Sequence, residues 1–227
     1  VIHAVVPVKS FRSAKTRLGG RLDEDQRACL AAASSRRVLD AVARTPAIAR
    51  RIAVVEDAEG ADLAARAHFE VLVRPDLWGQ SAVVDAGFDL ARERGATALL
   101  TVSADCPLVR PRDLEALLAV APPALALVSD REGRGTNALL LNPARALRLH
   151  FGPDSLSRHR REAELAGVPV RVLDIPRLRL DVDTPEDLDA LELSGPEGRE
   201  VLIEAGQLYR DMLRDGLAIA RPEGSAG

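Results

Sequence analysis

A chain of 227 residues with 47% hydrophobic and 29% charged residues has the balance of one globular domain, long enough to bury its own core. A net charge of −3 and the lack of any Lys/Arg block exclude a nucleic-acid partner, and no apolar run is long enough to span a membrane. The two cysteines, Cys29 and Cys106, have no zinc or CxxC spacing, so inert thiols in a reducing cytoplasm are expected.

In chain order, Val1 to Val8 reads as a buried aliphatic strand, followed by a loop that holds both lysines of the chain, Lys9 and Lys15. Leu30, Ala33, Val38, Leu39 and Val42 then recur at helical spacing, predicting a helix from about Asp23 to Arg44. Strands follow at Arg51 to Glu56 and Glu70 to Val73. Ser81 reads as the cap of a helix that runs to about Arg94 and buries Val84, Phe88 and Ala91. A strand from Ala98 to Ser103 ends in Ser-Ala-Asp, and Pro107 stops its pairing. Further strands are expected at Ala124 to Ser129, Asn137 to Leu141 and Val168 to Asp174, with a helix start at Asp154-Ser155. Thr184-Pro185 has the capping hydroxyl and the first-position proline of another helix. Last comes an amphipathic helix from Gly195 to about Leu217, carrying Val201, Leu202, Leu208, Met212 and Leu213. It packs either on the domain or on a second copy, which leaves a homodimer open. The expected organisation is one domain over 1–194, a helical extension over 195–221 and a frayed tail over 222–227.

Strands alternating with helices predict an α/β fold, a mostly parallel sheet covered on both faces. Ligands of such sheets bind beyond the carboxyl ends of the strands. Polar residues just past strands are therefore the site candidates.

The loop Val6 to Leu18 puts Lys9, Arg12, Lys15 and Arg17 among Ser10, Ser13 and Thr16, a set suited to a polyphosphate. It is not a P-loop, because GxxxxGK[ST] is absent. Asp105 projects from a strand end, where a lone carboxylate suits Mg2+. Capping of the helix near Pro111 is the plainer use for it. Asp181 and Asp183 alternate with Leu180 and Val182, so on extended chain both carboxylates face one way and need a cation or proton between them. In the plainer reading Asp183 or Thr184 only caps the next helix. Gly133, Gly135, Thr136 and Asn137, with Gly152, Asp154 and Ser155 at a helix start, read as a pocket of free amides and hydroxyls for a phosphorylated ligand. Gly79, Gln80 and Ser81 are placed to approach a nucleotide, and Trp78 beside them either packs or stacks. The histidines 3, 68, 150 and 159 show no ligand spacing and read as structural or surface residues.

The segments VPVKSFRSAKTRL, SADCPL, DREGRGTNALLL, FGPDSLSRH and LDVDTPEDL together resemble the 2-phospho-L-lactate/phosphoenolpyruvate guanylyltransferases of coenzyme F-420 biosynthesis. The match runs in order from Val5 to about Leu191; Cys106 stands where an aliphatic residue is more usual, and the tail beyond Leu193 is unmatched. The resemblance implies a glycosyltransferase-A-like nucleotidyltransferase fold, with GTP, Mg2+ and a small phosphorylated carboxylic acid as requirements. It assigns metal binding to Asp105, Asp181 and Asp183, and the acid to Thr136, Gly152 and Ser155. Nucleotide contacts fall on Val6, Gly79, Gln80 and Ser81, and stabilisation of the leaving pyrophosphate on Lys9, Lys15 and Arg17. Phosphoenolpyruvate is the expected acceptor, with 2-phospho-L-lactate or 3-phosphoglycerate as the alternatives. Nucleotidyl transfer to a sugar phosphate, glycosyl transfer and an idle nucleotide-binding module are the competing readings.

Overall fold

Short runs of Val, Leu, Ile and Ala that are buried on both faces form strands, because β-branched and aliphatic side chains pack well on a pleated surface. In the computed structural model, which describes residues 1–144 and 147–214, seven strands make one sheet, its two edge strands less buried than the rest. The seven are β1 (Ile2–Val8), β2 (Ile48–Val55), β3 (Glu70–Val73), β4 (Ala98–Val102), β5 (Ala124–Ser129), β6 (Thr136–Asn142) and β7 (Val170–Val172). The spatial order is β3-β2-β1-β4-β6-β5-β7. β1 pairs in parallel with β2 and β4, β2 with β3, and β5 with β7. Only β6 runs the other way, antiparallel to both β4 and β5.

The helices are α1 (Glu24–Ala43), α2 (Ala58–Arg66), α3 (Gln80–Glu93), α4 (Pro111–Leu118), α5 (Ser155–Leu165), α6 (Pro176–Arg179), α7 (Pro185–Leu193) and α8 (Pro196–Arg214). One face of the sheet is covered by α1, α2, α4 and α6, through Val38, Leu39, Ala64, Leu114, Leu117 and Leu178. The other is covered by α3 and α5, through Val84, Phe88, Ala91 and Ala163. Each large side chain fully buried here stabilises the fold by about 1.5–3 kcal/mol. Gly87 lets α3 lie directly on β1, since a Cβ there would meet Val5 Cγ1 at 2.4 Å.

Several boundaries differ from those read in the sequence. β2 starts at Ile48, three residues earlier, and β7 keeps only the middle of its predicted span. Ser81 is not the cap of α3: Gly79 holds that position with φ +82, and no side chain bonds there. Thr184 does cap α7, in a box with Asp187. The C-terminal helix packs on the domain itself: Val201 and Ala205 join a third apolar cluster with Leu30, Ala33, Leu188 and Leu191. Glu204 adds ion pairs to Arg36 (2.6 Å) and Arg37 (3.0 Å) on α1. The end of that predicted helix, the tail over 222–227 included, lies outside the described residues.

Candidate active site

The reversed direction of β6 builds the site. Parallel strands β1, β2, β3 and β4 all end at one edge of the sheet, and an antiparallel strand begins there. Thr136 and Asn137, at the start of β6, therefore lie beside the end of β4, where Ser103 N–H donates to the Asn137 carbonyl at 2.7 Å. Facing β5, Val128 pairs with Ala138 but Ser129 pairs with Thr136, which leaves Asn137 as the extra residue of a β-bulge. A bulge breaks the alternation of side chains. Thr136 consequently reaches α5, while Asn137 reaches α6 and the segment after it.

On the α6 side the site is charged. Lys15 has φ +55, the left-handed conformation, and starts a 3-10 turn over Thr16–Leu18 that is anchored by the buried Leu18. That geometry costs about 1–2 kcal/mol outside glycine. It sends the lysine side chain inward, where 0% of it is exposed. Lys15 Nζ donates to Asp105 Oδ1 at 2.6 Å and to the Val182 carbonyl at 2.7 Å, and lies 4.0 Å from Asp183 Oδ1. Charge-assisted bonds of this length offset the backbone strain. Val182 N–H in turn donates to the Asp105 carbonyl at 3.0 Å, so three distant segments are tied together.

Leu180 and Val182 are buried in the third cluster, and the carboxylates between and after them turn the other way, Asp181 to Asn137 and Asp183 toward Lys15. Burial pushes the Asp181 carboxyl up to about 6, against the pull of its bond from Asn137 Nδ2 at 2.9 Å. Burial and the negative charge of Asp105 also raise Asp183, while Lys15, Lys9 and Arg17 lower it. All three predicted cations therefore act on one carboxylate. Arg12, by contrast, is drawn away to Asp25 at 3.7 Å. Asp105 does not cap α4, because the box there is made by Asp113, which accepts from Arg110 N–H at 2.9 Å. Among the described residues no three acidic, histidine or cysteine groups are drawn together as a ready cation cage. The ammonium of Lys15 stands among the carboxylates instead.

On the α5 side the buried groups are neutral. Ser155 Oγ lies 3.2 Å from Thr136 Oγ1, which lies 3.1 Å from His159 Nδ1; all three residues are buried. Gly152 sits at the surface with φ +99, a conformation that favours glycine. The free amides expected at this helix start are partly spent. Ser155 N–H donates to the Gly152 carbonyl at 3.1 Å and Leu156 N–H to the Arg134 carbonyl at 2.9 Å. Asp154 is exposed with φ +55 and makes no capping bond.

A crevice open to solvent lies between these strand ends and α3. Pro7, Val8, Lys9, Glu56, Arg74, Gly79, Gln80 and Asp105 are among its lining residues. Val6 is not: it is 0% exposed within β1, its side chain in the core, and Pro7 and Val8 take the place expected for it. Ser81 is diverted too, its hydroxyl accepting from Phe151 N–H at 2.9 Å and so tying α3 to the segment before α5. Trp78 does not pack; it is 90% exposed next to Gly79. Glu56 was missed in the sequence, although it directly follows β2 and accepts from Ser10 N–H at 2.9 Å. His159, read as structural or surface, is buried and bonded to Thr136 and to the His150 amide. Both cysteines are buried, Cys29 with its thiol pushed up to about 11 by burial and by Asp25.

The same sheet architecture is found in solved nucleotide-diphospho-sugar and nucleotidyl transferases. A nucleotide-diphospho-sugar transferase from Desulfovibrio desulfuricans G20 superimposes with a TM-score of 0.68 at 17% identity, over 92% of this chain and 97% of that one. A nucleotidyl transferase from Methanothermobacter thermautotroptrophicus gives 0.58 at 16% identity, over 88% and 98%. At such identities the likeness shows the fold. The chain belongs to the family described as guanylyl transferase CofC like, whose model matches residues 2–202. It is 43% identical over 192 residues to a phosphoenolpyruvate guanylyltransferase of Conexibacter woesei, covering 83% of this chain and 86% of that protein. Against the enzyme of the same name from Rubrobacter xylanophilus the identity is again 43%, over 196 residues, 86% of this chain and 95% of that protein.

Proposed function

We propose that this protein transfers GMP from GTP to the phosphate of phosphoenolpyruvate, forming enolpyruvyl-diphospho-guanosine and pyrophosphate for coenzyme F-420 biosynthesis. The observation that carries the reading is one strand start, Thr136-Asn137, whose adjacent residues hold a hydroxyl pair on one side and the carboxylate Asp181 on the other. An acid held at Thr136, Gly152 and Ser155 is thereby set beside the residues that face the nucleotide.

The acceptor phosphate is ionised at neutral pH, so its oxygen attacks the α-phosphorus in line and pyrophosphate leaves without a general base. Two anions must approach each other, which makes charge the main obstacle. Lys9 and Arg17, exposed at the crevice, meet the β- and γ-phosphates and stabilise the leaving group. Lys15 is already committed to Asp105 and Val182, so it acts as the internal countercharge that keeps the carboxylates in place. Gly79 and Gln80 line the nucleotide side, with Ser81 behind them as a tie to Phe151.

The donor set fits Mg2+, because Asp105, Asp181 and Asp183 are hard oxygen ligands whose burial and mutual repulsion a cation relieves. When bound there, Mg2+ supplies shielding of the phosphate charges. Preference among acids rests on the relatives, since phosphoenolpyruvate, 2-phospho-L-lactate and 3-phosphoglycerate share one phosphate and one carboxylate. Incubation with GTP, Mg2+ and the three acids at equal concentration, with products separated by mass, tests the assignment. The enolpyruvyl product should dominate; a dominant phospholactyl or phosphoglyceryl product would overturn the acceptor, and no guanylylated product the reaction.

A further inference from the structure

We infer that His159 is a positioning residue of the acceptor subsite: it is held in the Nδ1–H form and thereby makes the Thr136/Ser155 hydroxyl pair a net hydrogen-bond donor toward an anion. The inference rests on the reading of that pair as the acid-binding subsite.

The argument is a count of protons. The backbone N–H of His150 donates to His159 Nε2 at 2.9 Å. An amide can only donate, so Nε2 must offer a lone pair, and neither the imidazolium nor the Nε2–H tautomer satisfies that contact. The ring proton is left on Nδ1, 3.1 Å from Thr136 Oγ1, which therefore accepts from it. Complete burial of the ring favours the same neutral form and lowers its proton affinity, to a pKa of about 4. Phe151 stands edge-on at 5.0 Å between ring centroids and keeps the imidazole in this plane.

Two hydroxyl protons remain, one on Thr136 and one on Ser155, and the 3.2 Å contact between the two oxygens uses only one. Whichever hydroxyl donates across it, the other proton has no acceptor among the described contacts. That spare donor is what a carboxylate or phosphate oxygen requires. With the opposite tautomer, Thr136 would give its proton to Nδ1, the pair would have no donor left over, and an anion would meet lone pairs. The amides of Ser155 and Leu156 are engaged elsewhere, so among the buried groups at the start of α5 the hydroxyl pair is the donor left to present, with the Arg158 guanidinium near Gly152 at the rim.

The test uses the full-length protein and phosphoenolpyruvate as the probe. Nitrogen-15 spectra at pH 7 should show His159 neutral and protonated on Nδ1, with the Nδ1 signal shifting on addition of the acid. An Nε2–H or doubly protonated ring would overturn the inference. His159→Leu should raise the KM for the acid about tenfold or more while the KM for GTP stays within about twofold. His159→Asn keeps an N–H near the Nδ1 position and should restore most of the acid affinity, which a purely structural role does not require. A parent enzyme inactive with every acid sinks the functional reading and this inference with it. An active parent whose folded His159→Leu variant keeps the parental acid KM sinks this inference alone.

Discussion

The two sides of the strand-end crevice handle negative charge in different ways. Around Lys15 a buried ammonium is ringed by Asp105, Asp183 and a carbonyl, so charge is met by opposite charge. Around Thr136 the buried groups are two hydroxyls and an imidazole, and the cation, the Arg158 guanidinium, stands at the rim beside Gly152. The first arrangement gives strong, long-range attraction that a cation can retune, and it suits a triphosphate whose charge changes during reaction. The second gives short-range, directional binding, and it suits a small acid that must be held at one angle. A single bulged strand start, Thr136-Asn137, serves both.

The largest break in that contrast is expected from Asp105→Asn. It should lower turnover at least about a thousandfold, several kcal/mol of lost charge stabilisation, as read by pyrophosphate release. The fold should survive at a cost of about 2 kcal/mol, because the buried Lys15 loses its nearest partner. Near-parental turnover would remove Asp105 from the site.

Next in size is Lys15→Met, which keeps the packing of the stem and removes the charge. Turnover should fall roughly 10- to 100-fold, the worth of one or two charge-assisted contacts. Thermal melting should then rise more steeply with added Mg2+ than in the parent, since nothing else neutralises Asp105 and Asp183 from inside. An unchanged Mg2+ dependence would show that ammonium and metal do not share the carboxylates.

The two sides should also differ in the sign of their pH dependence, measured on metal-free protein. Asp181 binds its proton more tightly when folded, up to about 6, than the unfolded value near 4. It therefore removes stability as pH climbs through that window, and Asp181→Asn should flatten the fall by about 2 kcal/mol. His159 binds its proton less tightly when folded, at about 4 against 6.5 unfolded. Its contribution is present above pH 6.5 and lost as pH falls toward 4, so His159→Asn should remove a loss of the opposite sign. Equal slopes in both variants would mean that neither group is as buried as its position implies.

The smallest effect is expected at Trp78, the only tryptophan and almost fully exposed beside Gly79. Adding GTP should change its emission, while Trp78→Ala should alter turnover by no more than about threefold. An emission unmoved by saturating GTP would place the nucleotide away from Gly79.

The sheet and its seven strands could be read from sequence, because aliphatic runs are local signals. The orientation of β6 could not, since an apolar strand looks the same in either direction. Neither could the bulge at Asn137, which depends on the register of a neighbouring strand. Lys15 read as a cation for the leaving pyrophosphate, yet a left-handed turn buries it among acids brought from 90 residues away or further. Val6 came only from the resemblance, and its side chain is buried within β1. His159 carried no spacing to mark it; the bond that orients its ring comes from a backbone amide nine residues earlier.

The division of labour between the two sides is tested most directly by Thr136→Val, which replaces a buried hydroxyl with a methyl of the same shape. KM for phosphoenolpyruvate and for GTP should be measured side by side in the folded variant. The acid KM should rise about tenfold or more and the GTP KM stay within about twofold; a rise confined to GTP, or no change in either, would contradict it.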